Sequence, residues 1–236
     1  MTMSISCTYN GAYSARLSRC KRSVCVLTSE QEEGPFYWTT TTKRQNITEN
    51  KKGVPLRLVI TIIDTNNCSA IKNADVELWL CDAGGLYSHY LSGSRDKTDS
   101  STFLRGYQLT GPSGKVKFDL IFPGWYSGRA MHIHLKVHFG GTSTTRYTGG
   151  HVAHTGQIFF PDQISHTIAN TSPYKSNTVA RTLNANDRVY TNQKGSTSKA
   201  VVTYVKGSSL SYGLKATITL GVNSLATPSA VGKKKR

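Results

Sequence analysis

From about residue 55 onward the chain alternates between apolar and polar positions. Leu56, Leu58, Ile60 and Ile62 alternate with Arg57 and Thr61, and Val76, Leu78 and Leu80 alternate with Asp75 and Glu77. Val116, Phe118 and Leu120 alternate with Lys115, Lys117 and Asp119, directly after the turn-forming run Gly111-Pro112-Ser113-Gly114. A period of two sends successive side chains to opposite faces, so each run predicts a half-buried strand. Met131 to Phe139 predicts another strand, Ile158 to Phe160 a short one stopped by Pro161, and Ala200 to Val205 and Leu214 to Leu220 the last two. Helical periodicity is scarce, and only residues 162 to 170 predict a short helical turn. Short strands set between Gly-, Ser- and Asn-rich gaps predict an all-β chain. The expected fold is a β-sandwich of mixed, mainly antiparallel strands with long loops and few short helices. Three segments are expected: a cysteine-containing arm over 1–28, one sandwich over 29–225 and a basic disordered tail over 226–236.

At 236 residues the chain can bury a sizeable single core. Its formal net charge is +16, of which Lys233, Lys234, Lys235 and Arg236 supply a quarter. The rest is dispersed, with no Arg-rich helix or paired-aromatic motif, so no nucleic-acid partner is expected. The simplest account is a solvated basic surface. A functional account is attraction to anionic surfaces or acidic phenolics. No apolar run is long enough for a membrane span. Cys7, Cys20 and Cys25 crowd the arm, where a disulfide would pin a segment with little surface to bury. Cys68 and Cys81 flank a strand pair and read either as a disulfide or as two buried thiols. Sequons begin at Asn46, Asn67 and Asn170. Together these features fit an extracellular, secreted protein, whose signal peptide would already be absent because no charged-then-apolar leader opens the chain.

The sharpest chemical signal is Met131-His132-Ile133-His134-Leu135. On a strand, His132 and His134 share one face, within reach of one metal ion, while Met131, Ile133 and Leu135 face a core. Two satisfied histidines would explain that pair equally well on its own. Tyr126 lies on the turn Pro123-Gly124-Trp125-Tyr126-Ser127-Gly128-Arg129, and Tyr87 on the turn Asp82-Ala83-Gly84-Gly85. Phenolate oxygens are hard and anionic, so two tyrosines with two histidines form a donor set that favours Fe(III). His89, His138, His151, His154 and His166 read as structural or surface groups, and Lys136 shares the histidine face.

Five strings stand in one family's order and spacing: Gln31-Glu32-Glu33-Gly34-Pro35-Phe36-Tyr37, Trp79 to Ser88, Phe103-Leu104-Arg105-Gly106, Pro123 to Arg129, and His132-Ile133-His134. Together they resemble the intradiol ring-cleavage dioxygenases, the family of catechol 1,2-dioxygenase and protocatechuate 3,4-dioxygenase, from about Thr28 to Val222. The short arm resembles the extracellular branch. The resemblance implies a non-haem Fe(III) held by Tyr87, Tyr126, His132 and His134, with Tyr126 and His134 axial. It implies that Arg129 lies against the substrate, that Gln157 stands near the oxygen pocket, and that Gly34, Pro35 and Tyr37 line the cavity. Leu80 departs from the polar residue common before Cys81-Asp82. The implied reaction opens a catechol between its hydroxyl-bearing carbons with O2 and yields a cis,cis-muconate-type diacid. The arm is too short for the helical dimerisation of bacterial relatives, which implies a monomer. The polar loop from Ser88 to Ser101 implies an accessible site. Two other classes compete: a secreted phenolic-binding carrier without turnover, and a zinc hydrolase that adds His151 or His154 to the HxH pair.

Overall fold

The alternating runs pair into two four-stranded sheets packed face to face. The computed structural model describes residues 5–6, 21–22, 25–39, 42–94, 96–143 and 147–232. Cys7, Cys20 and the basic run 233–236 lie outside the described residues. In the arm, β1 (Ile5–Ser6) pairs with β2 (Lys21–Arg22). One main sheet combines β3 (Pro55–Asp64), β6 (Lys115–Ile121), β9 (Val201–Tyr204) and β10 (Leu214–Val222) in the order β6-β3-β10-β9. The other combines β4 (Asp75–Trp79), β5 (Arg105–Leu109), β7 (His132–Ser143) and β8 (Tyr147–Phe159) in the order β5-β4-β7-β8. All main-sheet pairings are antiparallel except β3 with β10, which run parallel and make the sandwich mixed. Two short α-helices, α1 (Asp162–Ala169) and α2 (Arg188–Asn192), lie among the long loops.

The inner faces follow the sequence pattern. Leu56, Leu58, Ile60 and Ile62 of β3 meet Val76, Leu78, Ile133 and Leu135 of the opposite sheet in one buried cluster. The polar faces differ between the sheets. On β3, β6 and β10 the polar positions are exposed or half-buried. On β4 every residue is buried, Asp75 and Glu77 included. The cause is a segment distant in sequence. Residues 28–39 and 42–47 cross this face, bonded to β8 through Gln31 N and Thr155 O and to β5 through Arg44 N and Tyr107 O. Lys136 is buried under the same cover, in an ion pair with Glu33 at 2.6 Å and 3.4 Å from the Tyr37 ring centroid. The histidine face of the sheet is therefore interior.

The cysteines depart from one expectation. Cys68 pairs with Cys25, Cα atoms 5.6 Å apart, and Cys81 is a buried free thiol. Because Cys68 is bonded to Cys25, the Cys68–Cys81 bridge does not form, and Cys81 packs with Trp79 and Tyr87. Residues 228–231 line a small hollow together with Glu30, Gln31 and Lys136. Among the described residues no helix is long and apolar enough to cross a membrane.

Candidate metal centre

Two turns and the start of β7 form the site. Asp82 organises the first turn. Its Oδ1 accepts the N–H groups of Gly84 and Leu86, each at 3.0 Å, and its own N–H donates to Leu86 O at 2.8 Å. This fold turns Tyr87 inward, where it is 2% exposed. Gly85 has φ +87°, and a Cβ there would stand 2.3 Å from Trp125 O. A Cβ at Gly124 would stand 2.2 Å from Asp82 O. The two tyrosine-bearing turns thus touch backbone to backbone, an approach open only to glycine. Asn177 Nδ2 and Trp125 Nε1 brace the second turn by donating to Trp125 O and Val179 O. As a result the Tyr87 and Tyr126 rings lie 5.8 Å apart.

His132 and His134 share a face of β7, as the strand period requires, and are 1% and 0% exposed. Their Nε2 atoms stand 2.9 Å apart, and Tyr126 Oη is 3.3 Å from His132 Nε2. His132 Nδ1 donates to Ala130 O at 2.6 Å, which leaves its Nε2 as a lone pair facing the site. Trp79 stacks on His134 with centroids 5.0 Å apart, and Phe36 stacks on Tyr87 at 4.7 Å. Gly34, at φ +76°, passes so close that a Cβ would stand 2.9 Å from His134 Cε1. The Tyr87 hydroxyl is buried with no hydrogen-bond partner; Tyr126 is close enough to influence its acidity but not in bonding geometry. Burial raises the Tyr87 phenol well above its ordinary value and pushes Tyr126 up to about 12, against the pull of Arg129. Burial, then Arg129, lowers His132 to about 3, and burial, then His132, holds His134 well below the usual imidazole range. Both imidazoles are therefore neutral and available as donors.

Arg129 closes one side. It is 6% exposed and gives Nε to Asp187 at 2.9 Å, Nη2 to Gln157 Oε1 and Nη1 toward Tyr126 Oη at 3.4 Å. Gln157 is fixed in turn, its Nε2 donating to Glu32 O at 2.8 Å and its backbone N–H to Gln31 Oε1. Asp187 is fully buried and also accepts Ala130 N and the first N–H groups of α2. Burial alone would raise this carboxyl, but Arg129 and the Ala130 N–H hold it below the usual range. The sequence pattern gave no role to Asp187. The available signal is Asp187-Arg188-Val189, an N-cap residue heading a short helix.

Other expected residues are distributed as follows. Tyr37 turns its hydroxyl to Glu77 at 3.1 Å, while Phe36 is the aromatic residue against both Tyr87 and Tyr126. Pro35 is exposed beside them. Leu80 is in the core between the sheets. His89 stacks on Trp38 at 3.9 Å, and His138 bonds Glu77. The three-histidine zinc arrangement does not form. His151 bonds Ser224 O and His154 bonds Glu30, and no group of three His, Cys, Asp or Glu among the described residues could hold a metal.

No family model matches the sequence, and no curated protein matches it. Solved structures do match. An intradiol ring-cleavage dioxygenase from Tetranychus urticae is 34% identical with a TM-score of 0.77, over 87% of this chain and 98% of that one. The dioxygenase domain of a dioxygenase carbohydrate-binding protein fusion from Streptomyces sp. SirexAA-E is 23% identical, TM-score 0.58, over 83% of this chain and 97% of that one. A catechol 1,2-dioxygenase from Acinetobacter radioresistens is 18% identical, TM-score 0.59, over 90% of this chain and 68% of that one. The latter two share the fold. The identity and near-complete coverage of the first carry more, and they show that this chain belongs to the intradiol ring-cleavage dioxygenases and is an enzyme of that class.

Proposed function

We propose that this enzyme opens catechol-type diols between their hydroxyl-bearing carbons with O2, at a non-haem Fe(III) held by Tyr87, Tyr126, His132 and His134, and releases cis,cis-muconate-type diacids. The observation that carries this reading is the convergence of the His132 and His134 Nε2 atoms and the Tyr126 oxygen beside the orphaned Tyr87 hydroxyl. A buried hydroxyl without a partner is costly, and coordination to a cation would satisfy it. Burial makes both phenols resist ionisation, and a bound trivalent cation would supply the charge that makes them phenolates. Two phenolates and two neutral imidazoles suit a hard ferric ion better than zinc. Bound there, iron would supply Lewis acidity and one-electron oxidation of an electron-rich diol.

The protein's own groups divide the remaining tasks. Tyr126 is half-buried where Tyr87 is sealed, so its Oη, held as a phenolate by the metal, would be the oxygen placed to accept a proton from an arriving diol. Arg129 is always charged and is held rigid by Asp187 and Gln157. It would orient the diol and stabilise negative charge developing on the ring. Phe36 and Trp79 keep water from the site, and the Gly34–Pro35 turn forms its rim. Residues 29–225 would make up the catalytic unit. The Cys25–Cys68 bridge and the exposed Asn46, Asn67 and Asn170 support action outside the cell on plant or microbial phenolics, as a monomer.

Iron-loaded protein should absorb in the visible through tyrosinate charge transfer. Tyr126→Phe should lower catechol turnover by about 10²-fold or more while the melting temperature holds. A colourless iron-loaded protein, or a Tyr126→Phe variant near wild-type rate, would refute the assignment.

A further inference from the structure

The outer face of the sheet β6-β3-β10-β9 plays no part in the site. Its outward positions include Lys115 and Lys117 on β6, Arg57 on β3 and Lys215 on β10, all exposed, with Lys199 exposed beside them. Asp119 is the acid on the outward positions of these strands, and Arg57 at 2.8 Å and Gln45 at 2.7 Å already engage it. Lys115, Lys117, Lys199 and Lys215 form no ion pair with any described residue. Register sets Lys215 directly beside Arg57, an arrangement of like charges that weakens a sheet on its own. The face is also concave. A hollow of about 670 Å³ lined by Arg57, Lys117, Lys215 and Tyr212 adjoins one of about 400 Å³ lined by Lys115, Lys199 and Thr217. Both include Val59 and Lys215, so they merge into one groove along β3. From Pro55 to Thr61 that groove is roughly 20 Å long at the rise of a strand.

We propose that this groove binds a linear polyuronate, a polysaccharide bearing one carboxylate per sugar. The unpaired lysines match a spaced row of carboxylates. Thr61, Thr203 and Thr217 offer hydroxyls along the groove, and Tyr212, 55% exposed, offers a ring face at one end. The cations here that pair with no described residue are all lysines, which meet anions as point charges, while Arg57 gives its Nε to Asp119. Single-stranded nucleic acid needs a series of stacking faces, whereas the groove offers Tyr212, with Lys206 Nζ already 4.9 Å from its ring centroid, and the half-buried Tyr204. A bilayer is a plane and would touch only the rims of a hollow. Such binding would hold the enzyme on an acidic polymer matrix while the site, in the other sheet, remains free.

The test uses the full chain and polygalacturonate, with dextran, duplex DNA and phosphatidylserine vesicles as comparators. Polygalacturonate should bind, more weakly as salt rises, and dextran should not. K115Q/K117Q/K215Q should weaken binding roughly tenfold or more, with catechol turnover and melting temperature unchanged. Tyr212→Ala should weaken it with the salt dependence preserved. Neutralising residues 233–236 should leave most of the affinity. The proposal is overturned by absence of binding at low salt, by an unaffected triple variant, by loss of binding with the tail alone, or by tighter binding to DNA or vesicles. Because turnover is read separately, failure here leaves the reading of the metal centre untouched.

Discussion

Replacing Asp187 with Asn isolates the charge that holds Arg129. The native carboxylate accepts four bonds, from Arg129 Nε at 2.9 Å and Ala130 N at 2.8 Å on Oδ2, and from Val189 N at 2.7 Å and Tyr190 N at 3.2 Å on Oδ1. An amide of the same shape has one oxygen. If that oxygen faces Arg129, the NH2 group meets the N–H donors of α2; if it faces α2, the NH2 group meets Arg129 and Ala130. Either way two buried donors lose their acceptor, and a nearly buried guanidinium loses its counter-charge. Breaking such a pair from one side costs about 3–5 kcal/mol. For a chain of this size that corresponds to a fall in Tm of roughly 6–20 °C. The native carboxyl is held below its usual range, so its contribution is present above the unfolded pKa and lost as pH falls through the folded one. The gap between wild type and variant should therefore persist at neutral pH and close in acid. Catechol kcat should also fall, because Arg129 is no longer fixed against Gln157 and Tyr126. The decisive assay is a double-mutant cycle with Arg129→Met, reading thermal stability and kcat/KM. If Asp187 acts through Arg129, its loss costs little in the Met background, and the coupling reaches about 1.5 kcal/mol or more. Effects additive to within about 0.5 kcal/mol on both readouts would refute the reasoning.

Two further outcomes follow from burial and from the crosslink. Burial, then Glu77, raises the Asp75 carboxyl to about 8, and neither of its oxygens has a partner. Between the unfolded and folded pKa values the native state holds the proton that the unfolded chain releases, so this group lowers stability as pH rises. Asp75→Asn should match wild type near pH 4 and be more stable at pH 8, with a gap that grows by at most about 1.4 kcal/mol per pH unit. A variant less stable at every pH would rule this out. The Cys25–Cys68 bridge spans 43 residues, and the chain-entropy account gives it about 4 kcal/mol. Cys25→Ser/Cys68→Ser should melt well below the oxidised wild type, and coincident melting curves would show that the bridge adds nothing.

The inner faces of the sandwich were legible because Leu56 to Ile62 and Val116 to Leu120 keep a strict period of two. β5 was not, since Arg105-Gly106-Tyr107-Gln108 lacks that alternation, and most of β8 was hidden in a Thr-, Gly- and His-rich run. The burial of Asp75 and Glu77 depends on residues 28–47 crossing their face, a contact between positions far apart that no local pattern encodes. Within the site, strand period put His132 and His134 on one face, and glycine turns located Tyr87 and Tyr126. That the two turns press together is a property of Gly85 and Gly124 in three dimensions. The roles of Phe36 and Asp187 emerged only from packing, because each acts on residues contributed by other segments.

The parallel pairing of β3 with β10 has a consequence for biogenesis. Leu56 lies beside Leu214, so one edge of β3 has no native neighbour until some 158 further residues exist. At a synthesis rate of roughly 5–20 residues per second, that edge waits on the order of 8–30 s. During this interval an aliphatic strand with open amides is a template for pairing with nascent copies of itself. Closure of the sandwich is therefore a late event in the life of the polypeptide, and a chain stopped before residue 214 would keep its stickiest edge bare.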